Sequence, residues 1–262
     1  LAMQNWIPKG TITFLKNRDA LVNAHFLPSI RENEKIRVSS ASRPTPIEFR
    51  TKDLLIADAY SMPAPYNQRD VAIIRFPRSM LPHANILSKF IAAEDAGGLT
   101  YADRGYLAGS SIDHAGRLYV KCYFVGDIHA VDGLLSSSEA QRVFRSYYEY
   151  PLETSQGDCG KLLVLSNRNI RGKICGIHFA GRSNTHYTGL AAPITEEFLL
   201  KAIALLPAEP DHSIPAQSGP LPIAFQGGEI KLNPKVSGEI LPLGVLPHVH
   251  CPRKTKIIPS PL

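Results

Sequence analysis

The chain has 262 residues, of which 44% are apolar and 20% charged, with a formal net charge of +6. These are the values of a globular protein, and no apolar run approaches the roughly 18 residues that a membrane-spanning helix needs. Lys and Arg are scattered rather than run together, so the positive bias reads as a solvated surface, not a dedicated nucleic-acid tract.

The length suits two domains of roughly 90 residues and a tail. The N-terminus has no basic-then-apolar signal pattern and reads as the start of a fragment released from a longer chain. The four cysteines, Cys122, Cys159, Cys175 and Cys251, show no paired spacing. They read as reduced thiols in a cytosol-like compartment, without disulfides.

In chain order, residues 11–15 alternate and are rich in β-branched side chains, Lys16-Asn17-Arg18-Asp19 has turn chemistry, and residues 20–24 resume a strand. Short strands are expected over 35–39, 47–50, 54–59 and 71–76, punctuated by Pro44, Pro46, Pro63, Pro65 and Pro77. This makes 1–77 a first β block. Residues 78–98 read as a connector in which 79–93 could hold a short helix ended by Gly97-Gly98. A second β block covers 99–206, with candidate strands at 118–125, 142–148, 161–165, 173–179 and 187–192. Thr195 caps an amphipathic helix over 198–206, with Glu196 and Glu197 near its N-terminus. Residues 207–262 are proline-rich, without period, and read as a tail. Many short strands with frequent turns imply an all-β barrel or sandwich architecture.

Chemistry concentrates at Thr154-Ser155-Gln156-Gly157-Asp158-Cys159-Gly160. A thiol between two glycines on a turn is either a buried structural cysteine or a nucleophile beside backbone N–H donors for an oxyanion. A nucleophile needs a base held by a third group. His25 sits at a strand end, and Asp70 opens an apolar strand from which a carboxylate can fix an imidazole tautomer; Asp58 is the rival acid. The order His25, Asp70, Cys159 is that of the chymotrypsin type, with the first two in one β block and the third in the other. In Gly176-Ile177-His178-Phe179-Ala180-Gly181, the imidazole is either a satisfied core group or a donor into a pocket, and the flanking glycines favour the second.

Together, Thr154-x-x-Gly157-x-Cys159-Gly160 and Gly176-x-His178-x-Ala180-Gly181 resemble the picornain 3C-like cysteine proteases of picorna-like RNA viruses, in the flavour of dicistroviruses and iflaviruses. The match runs over roughly residues 8–206. The resemblance implies an all-β, chymotrypsin-like double β-barrel that cuts a viral polyprotein after glutamine, before a small residue. It assigns Cys159 as nucleophile, His25 as base then acid, and Asp70 as the orienting acid. The N–H groups of Gly157, Asp158 and Cys159 become the oxyanion hole. His178, Thr154 and Ala180 line the pocket for the P1 glutamine, with Tyr150 holding the His neutral. A neutral imidazole selects an amide over a carboxylate because the amide costs less to desolvate.

No cofactor and no metal are expected: His248-Val249-His250-Cys251 offers at most three ligands with no second pair. The expected partners are polyprotein cleavage sites in the host cell cytoplasm. Relatives bind viral RNA through K-F-R-D-I in the connector; here only Gln68-Arg69-Asp70-Val71 and Ser88-Lys89-Phe90-Ile91 approach it, so an RNA-binding module of a replication precursor is the second reading. The tail leads toward a polymerase region, with Gln226-Gly227 and Gln217-Ser218 as candidate self-cleavage junctions.

Overall fold

The computed structural model describes residues 9–40, 43–96, 103–112, 117–137, 142–167, 169–183 and 187–210. The first half contains β1 (Thr13–Lys16), β2 (Asp19–Val22), a 3₁₀ turn Ala24–Phe26, α1 (Leu27–Glu32), β3 (Lys35–Ser40), β4 (Arg43–Arg50), β5 (Leu55–Asp58) and β6 (Ala72–Arg75). The second follows α2 (Ala93–Ala96) with β7 (Asp103–Ile112), β8 (Leu118–Ser137), β9 (Arg142–Tyr150), β10 (Leu162–Leu165), β11 (Ile174–Ser183), β12 (Tyr187–Pro193) and α3 (Glu196–Ile203). All ladders between these strands are antiparallel.

Strands β7 to β12 close into a six-stranded barrel, ordered β10-β11-β12-β9-β8-β7. In the first half the six strands divide into a sheet ordered β1-β2-β6-β5 and a separate β3–β4 hairpin. Apolar packing completes this first barrel where its ladder is open. Ile36, Val38, Ile47 and Phe49 of the hairpin join Ala20, Val22, Ala72 and Ile74 of the sheet in one cluster.

The two faces of β6 show how the halves are joined. Ala72 and Ile74 point into that cluster, whereas Ile73 faces the other way, into a cluster that includes Leu21 and Ala57 from the first half and Phe144, Ile177, Phe179 and Phe198 from the second. Alternation along a strand gives both faces a core. The shared cluster holds the two halves in one fixed relation, burying large side chains worth roughly 1.5–3 kcal/mol each.

Several expectations need revision. The connector has no helix over 79–93; it holds only the 3₁₀ turn Leu87–Lys89 before α2. Proline at 82 removes an N–H and restricts the preceding residue. Strand β7 was not expected, and β8 extends well past residue 125. Helix α3 starts earlier than expected, its Phe198 N–H capped by the Thr195 hydroxyl at 3.2 Å. The His248 to Cys251 cluster and both Gln junctions of the tail lie outside the described residues.

Candidate active site

His25 lies on the 3₁₀ turn that leaves β2, and Asp70 on the loop that enters β6; β2 and β6 are paired, so their ends are neighbours. Asp70 is fully buried. Its Oδ2 accepts the His25 Nδ1–H at 2.6 Å and its Oδ1 accepts the His25 backbone N–H at 2.8 Å. Two bonds from one residue to one carboxylate fix the ring's tautomer and its plane. Asp58, the rival acid, caps the turn after β5 by accepting the Tyr60 N–H at 3.0 Å.

Cys159 comes from the second half, on the turn between β9 and β10. Burial pulls the His25 pKa down. The hydrogen bond from its ring to Asp70, the neighbouring Cys159 sulfur and the charges on both outweigh burial and push it up to about 10. The imidazole thus sits between the buried carboxylate and the sulfur. In its thiol form Cys159 can instead donate to the Phe179 carbonyl, 3.3 Å away. Folding stabilises protonated His25, so this contribution is complete below the unfolded value near 6.5 and is lost as pH rises toward 10. Urea midpoints of the parent should therefore fall over that window, and His25→Ala should lose this part of the decline.

The nucleophile turn is held from several sides. Gly160 has φ +89°, and a Cβ there would lie 1.9 Å from the Thr11 carbonyl oxygen. The Thr11 N–H in turn donates to the Cys159 carbonyl at 2.8 Å. Gly160→Ala is therefore expected to cost about 2 kcal/mol or more, seen as a lower denaturation midpoint. Gly157, at φ +94°, has open space around it, where a reacting oxygen could sit.

One sequence expectation is corrected here. The Asp158 N–H closes the turn on the Ser155 carbonyl at 3.0 Å and is not directed at an oxyanion. Among the described hydrogen bonds, the N–H groups of Gly157 and Cys159 are not engaged in that way. The Asp158 side chain has a different task. It is buried, takes the Ser155 N–H at 2.8 Å and pairs with the buried ammonium of Lys161. Burial raises its pKa, but the bonds to Lys161 and Ser155 prevail and lower it. Lys161 was not singled out from sequence; an i,i+3 cation opposite Asp158 at the head of an apolar run was its one signal.

His178 is on β11, two residues beyond Gly176, and is buried. Its Nδ1 lies 2.6 Å from the Tyr150 hydroxyl. Burial lowers the His178 pKa to about 4, against opposing contributions from Asp158 and the Leu190 carbonyl. Tyr150 is pushed well above its ordinary value, chiefly by burial, so it remains a phenol able to donate to that nitrogen. Strand β11 bulges between His178 and Ala180, re-aiming side chains as bulges do. The Thr154 hydroxyl lies against Gly181, close enough that a Cβ there would meet it at 2.3 Å. Thr154, from the loop that carries the nucleophile, thus packs against the strand that bears His178 and Ala180.

Arg69, offered by the sequence only as part of an RNA-motif likeness, ties the Asp70 loop to the second half. It donates to the Pro193 carbonyl at 2.8 Å and lies 4.9 Å from the centre of the Phe198 ring. Among the described residues, no group of three or more His, Cys, Asp or Glu is arranged to hold a metal, and no helix is long and apolar enough to cross a membrane.

No family model matches the chain. It is 28% identical over 159 residues to the replicase polyprotein of Drosophila C virus (strain EB), a stretch that is 57% of this chain. The chain spans only 9% of that relative's length. In structure it resembles the HRV-C 3C protein with rupintrivir, at 14% identity and a TM-score of 0.50, covering 71% of this chain and 86% of that one. It also resembles the MamO protease domain of Magnetospirillum magneticum (apo form), at 14% identity and a TM-score of 0.51, covering 79% and 93%. These likenesses establish the chymotrypsin-like fold.

Proposed function

We propose that this chain, a picornain 3C-like segment of a picorna-like virus replicase, is a cysteine endopeptidase that cuts its own polyprotein after glutamine. The observation that carries the reading is the meeting of Cys159 and His25 across the two halves, with Asp70 buried 2.6 Å behind the imidazole. Sulfur adds to the carbonyl carbon of the P1 glutamine, and the thiol proton is held on His25. The oxyanion takes the N–H groups of Gly157 and Cys159, neither of which is spent on another backbone carbonyl among the described hydrogen bonds. The imidazolium then protonates the leaving amine and a thioester remains. Water attacks the thioester, His25 accepts its proton, and sulfur leaves to restore the resting site.

His178, held neutral by burial and backed by Tyr150, donates to the glutamine side-chain oxygen, with Thr154 beside it and Ala180 leaving room. The enzyme acts in the host cell cytoplasm and is continuous with the polymerase region until a junction such as Gln226-Gly227 or Gln217-Ser218 is cut. Peptides that differ only in Gln or Glu at P1 test this function: cleavage after Gln is expected, and failure to cut any glutamine peptide would overturn it.

RNA binding is a second reading, favoured by one feature. A cleft of about 380 Å³ between the connector and the β10–β11 turn is lined by Ser88, Lys89, Arg171, Gly172, Lys173 and Ile174. Lys173 is already bonded to the carbonyls of Asn167 and Ile170, which leaves exposed Lys89 and Arg171 for phosphates. Replacing both with alanine should flatten the log–log salt dependence of single-stranded RNA binding by about 1.4. An unchanged slope would remove this cleft from consideration.

A further inference from the structure

Asn23 is fully buried at the end of β2, two residues before His25. At the head of a helical turn, an asparagine oxygen ordinarily accepts a backbone N–H, yet Asn23 makes no such cap. Its amide nitrogen instead donates to Asp70 Oδ2 at 3.1 Å and to the His178 carbonyl at 3.1 Å. The amide can face only one way. Turned over, its oxygen would confront a carboxylate oxygen and a carbonyl oxygen, neither of which can donate.

The His178 carbonyl is a junction in its own right, since it also accepts the Gly160 N–H at 2.9 Å. Both of its lone pairs are thereby engaged. A continuous path therefore runs from the Asp70 carboxylate through the Asn23 amide and the His178 carbonyl to the residue that follows Cys159. It begins in the first half and ends on the nucleophile turn of the second. The apolar cluster between the halves fixes their distance but carries little directional information, because burial is non-directional. Buried hydrogen bonds supply the direction.

We propose that Asn23 is a positioning residue, whose NH₂ group links the acid of one half to the nucleophile turn of the other and so sets His25 against Cys159. Its effect on turnover rests on the endopeptidase reading; its effect on the His25–Asp70 bond does not. Asn23→Leu and the smaller Asn23→Ala, in the full chain, are compared with the parent in two ways. On a glutamine peptide, kcat should fall about 10- to 100-fold while KM stays within about threefold, as expected for a misplaced reacting group rather than lost binding. In proton NMR, the low-field resonance of the His25 Nδ1–H should move further downfield, because Asp70 Oδ2 has lost a competing donor.

A kcat within about twofold of the parent, or an unmoved resonance in either folded variant, would overturn the proposal. If the parent itself cuts no glutamine peptide, the endopeptidase reading fails. The resonance shift alone then decides whether Asn23 acts on the Asp70–His25 bond. Should Asn23→Leu not fold, Asn23→Ala gives both readouts without inserting volume.

Discussion

Cys159→Ala should lower kcat on a glutamine peptide by about 10⁵- to 10⁶-fold, the scale of losing the nucleophile of a catalytic triad, while the protein remains folded. The fold survives because the sulfur contributes little to it. The side chain is half-buried and, among the described hydrogen bonds, its sulfur donates to the Phe179 carbonyl. The bonds that shape the turn are made by backbone, from Thr11 to the Cys159 carbonyl and from Gly160 to the His178 carbonyl, and alanine keeps them. An unchanged denaturation midpoint with absent cleavage is the expected pair of results. Substantial turnover by the variant would mean that another group attacks.

The second large effect is expected at His178. A site built to hydrogen-bond one side chain rejects analogues lacking it by about 10⁴-fold or more, so the parent should prefer Gln over Ala at P1 on that scale. His178→Ala should bring the preference close to unity. Because burial lowers the His178 pKa to about 4, the ring is neutral above that value, and Gln-over-Glu selectivity should hold across pH 5–8. The variant should also be less stable by about 1–3 kcal/mol, since the Tyr150 hydroxyl loses its partner in a buried position. A retained preference for Gln would count against His178 as the selecting group.

The order of His25, Asp70 and Cys159 was legible because each lies at a strand end next to turn chemistry, where local pattern and tertiary position coincide. The placement of His178 on a strand behind the nucleophile turn was legible because its apolar, glycine-bracketed run follows that turn closely in sequence. Other features were hidden by the same physics. Strand β7 is poor in large apolar side chains because its neighbours come too close: a Cβ at Gly105 would meet the Val164 carbonyl oxygen at 2.1 Å and one at Gly109 the Lys161 side chain at 2.6 Å. Small residues that serve packing look like turn signals in one dimension.

The oxyanion donors show a different limit. Three consecutive N–H groups were expected there, but which of them closes the turn depends on the Ser155 carbonyl and on the Asp158–Lys161 pair. Backbone direction has no signature in residue type. Asn23 was missed for a related reason: a lone polar residue between Val22 and Ala24 reads as a strand end, and its partners lie 47 and 155 residues away.

The pairing of a second-half sulfur with a first-half imidazole is tested most directly by covalent labelling with a glutamine-terminated peptide electrophile, the adduct being located by mass spectrometry. Cys122 is exposed and serves as the internal control, whereas Cys159 is only half-buried and Cys175 is buried. The expected result is an adduct at Cys159 and not at Cys122, formed far more slowly in His25→Ala. Labelling at exposed Cys122, or a Cys159 rate indifferent to the loss of His25, would contradict it.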